Sequence, residues 1–241
     1  MFSVTVVSIF PEIFPGPLAF GLSGKGLGRL WDLHLVNIRD FATDKHRKVD
    51  DSPFGGGAGM IMKPDVVHDA LSYAVRLNPT KTGNPTILFM SPRGALFSQK
   101  MVRTWYNNEM DSLIILCGRY EGIDQRVIDF WKKNHGMIEV SVGDFVLFGG
   151  ELPAMCIIDA CLRQIPGIMH NELSTETESF SVDLLEYPQY TRPCEWNGER
   201  VPAVLLSGNH GEIGRWRLAQ SEEATKELRR DLWERYERDV D

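Results

Sequence analysis

The sequence predicts an α/β fold built on a mostly parallel β-sheet. Short runs of almost continuous hydrophobic residues recur along the chain, stretches with helical spacing separate them, and three runs lead into glycine-rich turns. Near-continuous hydrophobicity is typical of strands buried on both faces, and alternation of strands with helices indicates a parallel sheet. The predicted strands are SVTVVSIF (3–10), HLVNI (34–38), TILFMS (86–91), LIILCG (113–118) and MIEVSV (137–142).

Four helices are predicted among these strands, over residues 65–77, 99–109, 123–134 and 153–164. Ser98 is placed to cap the second helix, and Pro153 suits the first turn of the fourth, where a missing N–H costs nothing. The third helix is expected to bury the apolar side chains of its inner face, namely Val127, Phe130 and Trp131.

A fifth, highly charged helix is predicted near the C-terminus, over roughly 215–239. Its narrow apolar stripe consists of Leu228, Leu232 and Tyr236. Oppositely charged residues spaced four apart, such as Asp231 and Arg235, are expected to pair on the exposed face.

Composition excludes several classes of protein. The 241 residues are 43% hydrophobic and 24% charged, with a formal net charge of −7, which argues against a generally sticky nucleic-acid binder. No stretch approaches the roughly 20 continuous apolar residues of a membrane span, and MFSVTVVSIFPEIF lacks the features of a signal peptide. The four cysteines form no CxxC pair. We therefore expect a cytoplasmic protein with reduced, zinc-free cysteines.

The character of the chain changes after Pro166. Residues 167–187 are polar, acidic and weakly periodic, as a linker would be. We therefore predict a large α/β domain over 1–165, a linker over 166–187, and a small C-terminal domain over 188–241.

Two glycine-rich stretches in the first part of the chain have different expected roles. GLSGKGLG (21–28) is not a phosphate-binding P-loop, since Ala19 stands where that pattern requires glycine, and it is predicted to be a turn. DDSPFGGGAGM (50–60) is either a flexible surface loop or a loop where a flat ligand lies against the backbone. The basic cluster DKHRK (44–48) just before it favours an RNA contact.

Three further glycine-rich loops each follow a predicted strand: SPRG (91–94), CGRYEGID (117–124) and SVGDFVLFGGELP (141–153). The carboxyl ends of parallel strands meet at one edge of a sheet, where α/β proteins usually bind their ligands. The sequence therefore predicts that these loops converge on a pocket.

The ordered series of motifs strongly resembles the bacterial tRNA (guanine-N1)-methyltransferase (TrmD) family. The series runs through DKHRxVDDxPxGGGxGM, SPRG, LCGRYEGID and SxGDxVLxGGELPAM, and continues as DACLRQIPG (159–167), YPQYTRP (187–193) and SGNHGEIGRWR (207–217). The resemblance implies an α/β methyltransferase of the SPOUT class, with a deep trefoil knot and a small, mainly helical C-terminal domain that binds tRNA. It also implies a homodimer with a shared active site, S-adenosylmethionine as methyl donor, and Mg²⁺ dependence, although the sequence shows no dedicated ligand cluster.

The implied reaction transfers a methyl group to N1 of the guanosine immediately 3′ of the anticodon. By the resemblance, Arg163 matches the catalytic arginine and Glu178 the general base, although the family usually has aspartate at the positions of Glu178 and Glu186. The glycines at 118, 122, 143, 149 and 150 are expected to leave no room for a Cβ against backbone and adenine, with Val142, Phe145 and Leu147 walling the adenine.

The implied cofactor-binding residues are Ser91, Pro92, Gly118, Tyr120, Glu121, Gly122, Ser141, Val142, Gly143, Asp144, Phe145, Val146, Leu147, Gly149, Gly150 and Pro153. The candidate tRNA-binding residues are Lys45, Arg47, Phe54, Gly55, Gly56, Glu186, Tyr190, Arg192, His210, Arg215 and Arg217. Two alternatives remain at this point: a related knotted methyltransferase acting on ribosomal RNA or on a ribose, and a non-catalytic RNA-binding module with the same fold.

Overall fold

The structure is a computed structural model that describes residues 1–78, 80, 85–169, 178–180 and 182–240. The chain divides into two compact units, Met1–His170 and Asn171–Asp241. None of the described helices combines the length and the hydropathy needed to cross a bilayer.

The first unit is built on a five-stranded, entirely parallel sheet, which confirms the predicted α/β fold with a mostly parallel sheet. Its strands stand in the order β2-β1-β6-β5-β7. A separate two-stranded antiparallel ribbon pairs β3 with β4. In chain order the strands are β1 (Phe2–Ser8), β2 (Trp31–Asn37), β3 (Asp50–Asp51), β4 (Ile61–Met62), β5 (Thr86–Leu96), β6 (Ser112–Leu116) and β7 (Ile138–Ser141).

Helices cover both faces of this sheet. Along β6, Leu113 and Ile115 belong to the core shared with α3 and α5, whereas Ile114 and Leu116 belong to the core shared with α2 and α4. This alternation explains the continuous hydrophobicity of the strand, because each face of the sheet is buried under its own layer of helices. The helices are α1 (Gly21–Gly26), α2 (Pro64–Leu77), α3 (Gln99–Asn107), α4 (Gln125–His135) and α5 (Glu151–Leu162).

The predicted helices of the first unit are confirmed to within a few residues, with two corrections of detail. Ser98 does cap α3, since its hydroxyl accepts from the Met101 N–H at 3.4 Å. Phe130, however, is exposed, and the buried residues of α4 are Val127, Ile128 and Trp131. The buried face of α4 therefore includes Ile128, and not Phe130 as predicted. The predicted turn at 21–28 is wrong as well, since the short helix α1 occupies most of it.

The second unit contains a small hairpin and three helices: β8 (Glu195–Trp196), β9 (Glu199–Arg200), α6 (Ala203–Leu206), α7 (His210–Leu228) and α8 (Arg230–Val240). The single helix predicted over 215–239 is therefore two helices, because Arg229 leaves the helical conformation with φ −139° and ψ 71°. This break leaves Leu228 exposed while Leu232 is buried.

The break also replaces the ion pair predicted between Asp231 and Arg235. The Arg229 guanidinium binds the Asp231 carboxylate at 2.7 Å, and Arg235 pairs with Asp183 at 3.0 Å. The pKa of Asp231 falls to about 2, because the Arg229 side chain donates hydrogen bonds to its charged form.

Candidate active site

A cavity of about 530 Å³ opens at the carboxyl ends of β5, β6 and β7. The three glycine-rich loops of the sequence converge on it, as predicted. Every residue proposed to bind the cofactor lines the cavity except Asp144. The lining also includes Phe89, Met90, Arg93, Arg119, Ile123, Gln125, Val140 and Phe148, which the sequence did not single out.

One part of the cavity lining comes from residues of β5 that bulge out of the sheet. Met90 and Ala95 both pair with Val140 of β7, so residues 91–94 leave the strand and return to it. The prediction that SPRG ends the strand is therefore wrong, because pairing resumes at Ala95 and Leu96. Gly94 permits the return, since a Cβ there would overlap the backbone of Glu139 and Val140.

The third loop, over 143–150, passes close against the second. The Gly150 N–H donates to the Gly118 carbonyl at 3.0 Å. A Cβ on Gly150 would stand 2.8 Å from the Cys117 Cα and 3.0 Å from the Met90 Cβ, so no other residue fits there without moving backbone. Gly122 is different: a Cβ would meet nothing within 4 Å, and glycine is favoured there by φ +123°. The crowding against backbone that was expected at Gly122 is therefore absent among the described residues.

A buried ion pair connects the second and third of these loops. Glu151, the first residue of α5, is almost fully buried. The Ser8 hydroxyl at the end of β1 donates to its Oε1 at 2.6 Å, and Arg119 Nε lies 2.9 Å from its Oε2. The Arg119 contact is an ion pair without a well-directed hydrogen bond. A Cβ on Gly149 would overlap the Arg119 side chain, so the glycine makes room for the ion pair.

Sequence reasoning missed the roles of Arg119 and Glu151. Both stand inside motifs that were singled out, but nothing in a linear pattern shows that a carboxylate beside a glycine pair is buried against a distant arginine. The pair also affects its neighbour Cys117: burial raises the pKa of that thiol well above its usual value, and the negative charge of Glu151 adds to the rise while Arg119 opposes it. The thiol therefore remains protonated near neutral pH.

The glycine loop at 54–59 joins the cavity through β4. The Met62 N–H donates to the Gly122 carbonyl at 2.9 Å, and the Glu121 N–H donates to the Met60 carbonyl at 3.0 Å. A Cβ on Gly59 would overlap the Glu121 side chain. Phe54 at the loop tip is 97% exposed. The loop is thus fastened at one end to the cavity-lining segment that contains Glu121.

The candidate RNA-binding residues are distributed over both units. In the first, Lys45, Arg47, Gly55 and Gly56 are exposed, like Phe54. In the second, three of the candidates line a separate cavity of about 350 Å³: Tyr190, Arg192 and Arg217. The other candidates of the second unit are exposed residues, namely Glu186, His210 and Arg215.

The two proposed catalytic residues lie in different units. Arg163 follows the last turn of α5 and is half-buried, and Glu178, also half-buried, belongs to the second unit. Across the part of the chain that the structure describes, no three side chains of His, Cys, Asp or Glu come together in a group that could hold a metal ion.

Comparison with known proteins identifies the family. Residues 2–235 match the family described as tRNA (Guanine-1)-methyltransferase TrmD. Three proteins named tRNA (guanine-N(1)-)-methyltransferase are 48–50% identical to this chain, each over 96% of its length: those of Ruegeria sp. strain TM1040 and Rhodospirillum rubrum, each with 92% of its own length covered, and that of Cereibacter sphaeroides strain KD131, with 91% covered. The family model matches nearly the whole chain and the relatives are about half identical over almost its full length, so one conclusion follows: the chain belongs to the TrmD family of tRNA (guanine-1)-methyltransferases.

Proposed function

We propose that this protein transfers a methyl group from S-adenosylmethionine to N1 of the guanosine immediately 3′ of the anticodon in tRNA. The observation that carries the proposal is the cavity at the carboxyl ends of β5, β6 and β7, bounded by glycines in a chain that matches the TrmD family over nearly its whole length. Parallel α/β sheets bind their ligands at this edge.

The cavity suits a flat, partly apolar cofactor. Val142, Phe145 and Leu147 supply apolar side chains to the lining, and Gly149 and Gly150 of the same segment line the cavity without side chains. Glu121 adds a carboxylate to the lining. S-adenosylmethionine, bound there, would supply an electrophilic methyl group on a positively charged sulfur.

Glu178 and Arg163 are the proposed catalytic residues. Guanine N1 carries a proton at neutral pH and must lose it before it can attack a methyl group, so a carboxylate within hydrogen-bonding distance is needed. We assign that step to Glu178. As the proton leaves, negative charge moves onto guanine O6, and we assign its stabilisation to the guanidinium of Arg163. Orientation of the two reactants provides the remaining acceleration.

The proposed active form is a knotted homodimer in which the two subunits share the active site. Two features support the knot: residues 91–94 leave and rejoin β5, and the 143–150 loop crosses the end of β6 at Gly150. The exposed apolar side chains beside the cavity support a dimer, because Val146 is 88% and Phe148 96% exposed in the single chain. Sedimentation should show a dimer at working concentrations, and a fully active monomer would overturn this part.

We propose that tRNA contacts the basic segment at 44–48, the glycine loop and the mainly helical second unit, which we treat as the tRNA-binding domain after the linker at 166–187. The flipped guanine would enter the cavity of the first unit. A tRNA substrate also makes this a cytoplasmic enzyme. The described residues offer no donor cluster that fits Mg²⁺, so we assign no ligands to it and no step of the reaction to the metal.

The deciding experiment is methyl transfer from isotopically labelled S-adenosylmethionine to an unmodified tRNA transcript with guanosine 3′ of the anticodon, followed by mass spectrometry of the nucleosides. We expect N1-methylguanosine at that one position, and no transfer to a matched transcript with adenosine there. Label on a ribose, or on ribosomal RNA alone, would favour the related knotted methyltransferases. Cofactor binding without transfer to any RNA would favour a non-catalytic RNA-binding module.

A further inference from the structure

The second unit contains its own cavity, separate from the one in the first unit. It encloses about 350 Å³. We call it the aromatic pocket and define it by its lining residues, Tyr187, Pro188, Gln189, Tyr190, Thr191, Arg192, Cys194, Val201, Leu205, Leu206, Ile213, Trp216 and Arg217. Among the described residues, the lining contains three aromatic rings and two arginines but no acidic residue, so it favours a planar ligand with negative charge nearby.

The flat groups of the pocket are close to one another. The rings of Tyr190 and Trp216 have centroids 6.3 Å apart and are inclined by 55°. The Arg217 guanidinium lies 4.8 Å from the centroid of the Tyr187 ring. Nucleobases stack on aromatic rings and on guanidinium planes of this kind, and an arginine can bind the adjoining phosphate as well.

The pocket is not the hydrophobic core of its unit. The buried residues among those described in the second unit are Leu184, Ser221, Thr225 and Leu232, and none of them lines the pocket. Every lining residue keeps contact with solvent, and Tyr190 is 48% exposed. Tyr187 and Trp216 are half-buried, whereas Tyr190 is the most exposed of the three rings and is the one most available to a ligand.

We propose that the aromatic pocket binds one unpaired nucleobase of the tRNA, other than the guanine that is methylated, with Arg192 and Arg217 contacting the flanking phosphates. This inference rests on the proposed function, because tRNA is the substrate that would bring an unstacked base to the unit. A peptide or a second copy of the chain would gain little from the two arginine charges in the lining, whereas a polyanion with planar groups uses both the charges and the aromatic rings.

The first measurement is the dissociation constant of tRNA at several salt concentrations. Tyr190→Ala should weaken binding by about 5- to 150-fold, the range that corresponds to one base–aromatic stack, with an unchanged salt slope. Tyr190→Phe should bind almost normally because it retains the ring. Arg217→Gln should instead reduce the salt slope by about one. Tyr106→Ala, which removes an exposed tyrosine of α3, is the matched control and should bind as wild type does.

The second measurement identifies the base. In a series of transcripts that each carry one abasic nucleotide in an unpaired region, one transcript should bind wild type weakly. Tyr190→Ala should lose nothing further with that transcript, since the missing ring and the missing base belong to the same contact. The main result of this second measurement comes from wild-type protein, so it tests the proposed base contact even if a variant folds poorly.

Two outcomes would overturn the inference. One is that Tyr190→Ala binds every transcript as tightly as wild type; the other is that the losses from Tyr190→Ala and from each abasic site simply add. A change in oligomeric state of Tyr190→Ala at unchanged tRNA affinity would assign the pocket to a second copy of the chain. Failure of the wild-type protein to form N1-methylguanosine would refute the proposed function and not this inference. As a control, the affinity for the cofactor should be the same in all variants.

Discussion

Arg119 Nε lies 2.9 Å from Glu151 Oε2, and this ion pair joins the loop after β6 to the first turn of α5 beneath the cavity. Ser8 brings the end of β1 to the same carboxylate, and the Arg119 guanidinium lies 4.8 Å from the centroid of the Phe10 ring. Arg119 also donates to the Phe148 carbonyl at 3.4 Å. One buried carboxylate therefore orients two of the three loops that form the cavity.

We expect Glu151→Gln to destabilise the protein by about 1–3 kcal/mol, because the amide keeps the bond from Ser8 but leaves Arg119 without its anionic partner. Cofactor affinity should fall with it, since the loop at 143–150 loses its anchor. Urea denaturation and calorimetry would measure the two effects. Glu12→Gln, at an exposed position, is the control and should change neither. Equal stability of both variants would show that the ion pair contributes nothing.

Two glycine-to-alanine substitutions should have opposite effects. At Gly150 the new Cβ would meet the Cys117 Cα at 2.8 Å, so we expect lower stability and weaker cofactor binding. At Gly214 in α7 it would meet nothing within 4 Å, and alanine should stabilise the helix by about 0.5–1 kcal/mol. Thermal unfolding of the two variants gives the comparison. A stable Gly150→Ala variant with normal cofactor affinity would contradict the close crossing at this position.

Glu178→Gln tests the proposed base. The amide keeps the size of the side chain but cannot accept the proton, so single-turnover methyl transfer should fall by roughly 10²–10⁴-fold at nearly unchanged cofactor affinity. Glu178→Asp, which introduces the residue usual in the family, should retain substantial activity. Glu186→Gln should reduce the rate of methyl transfer less than Glu178→Gln does. Near-normal transfer by Glu178→Gln would move the base to Glu186 or Asp183.

The cysteines should differ strongly in reactivity. Burial raises the pKa of Cys161 to about 12, and the Cys117 thiol is also held protonated by burial and by Glu151. Cys156 and Cys194 are exposed. Because the thiolate is the reactive form, iodoacetamide at mildly alkaline pH should modify Cys156 and Cys194 first and leave Cys117 and Cys161 intact until the protein unfolds. Peptide mass spectrometry would show the order, and early modification of Cys117 would contradict the packing described around Gly150.

The sheet could be predicted from the sequence because its central strands β1 and β6 are buried on both faces and are therefore largely hydrophobic. The position of the cavity could be predicted because glycine-rich loops follow three predicted strands. The return of β5 to the sheet at Ala95 and Leu96 could not be predicted, since in the sequence these residues resemble the loop that precedes the next helix. The helix break at Arg229 also lacks a local signal, because no glycine or proline marks it.

The ion pair between Arg119 and Glu151 illustrates a second limit. Its formation depends on how the 143–150 loop crosses β6, and that crossing is a tertiary property with no periodic pattern. Phe130 shows the same limit on a smaller scale: helical spacing allows either Ile128 or Phe130 on the inner face, and the choice depends on the neighbouring helix α2.

The segments that wall the larger cavity, 89–93, 118–125 and 140–153, are well separated along the chain. The cavity is complete only when Gly150 lies against Cys117 and Met90, and α5 has packed against the core that contains β1. During synthesis the neighbouring strands β1 and β2 emerge long before these later segments leave the ribosome. Such long-range contacts form slowly. A nascent chain can therefore acquire affinity for its cofactor only late in synthesis, after α5 has emerged and packed.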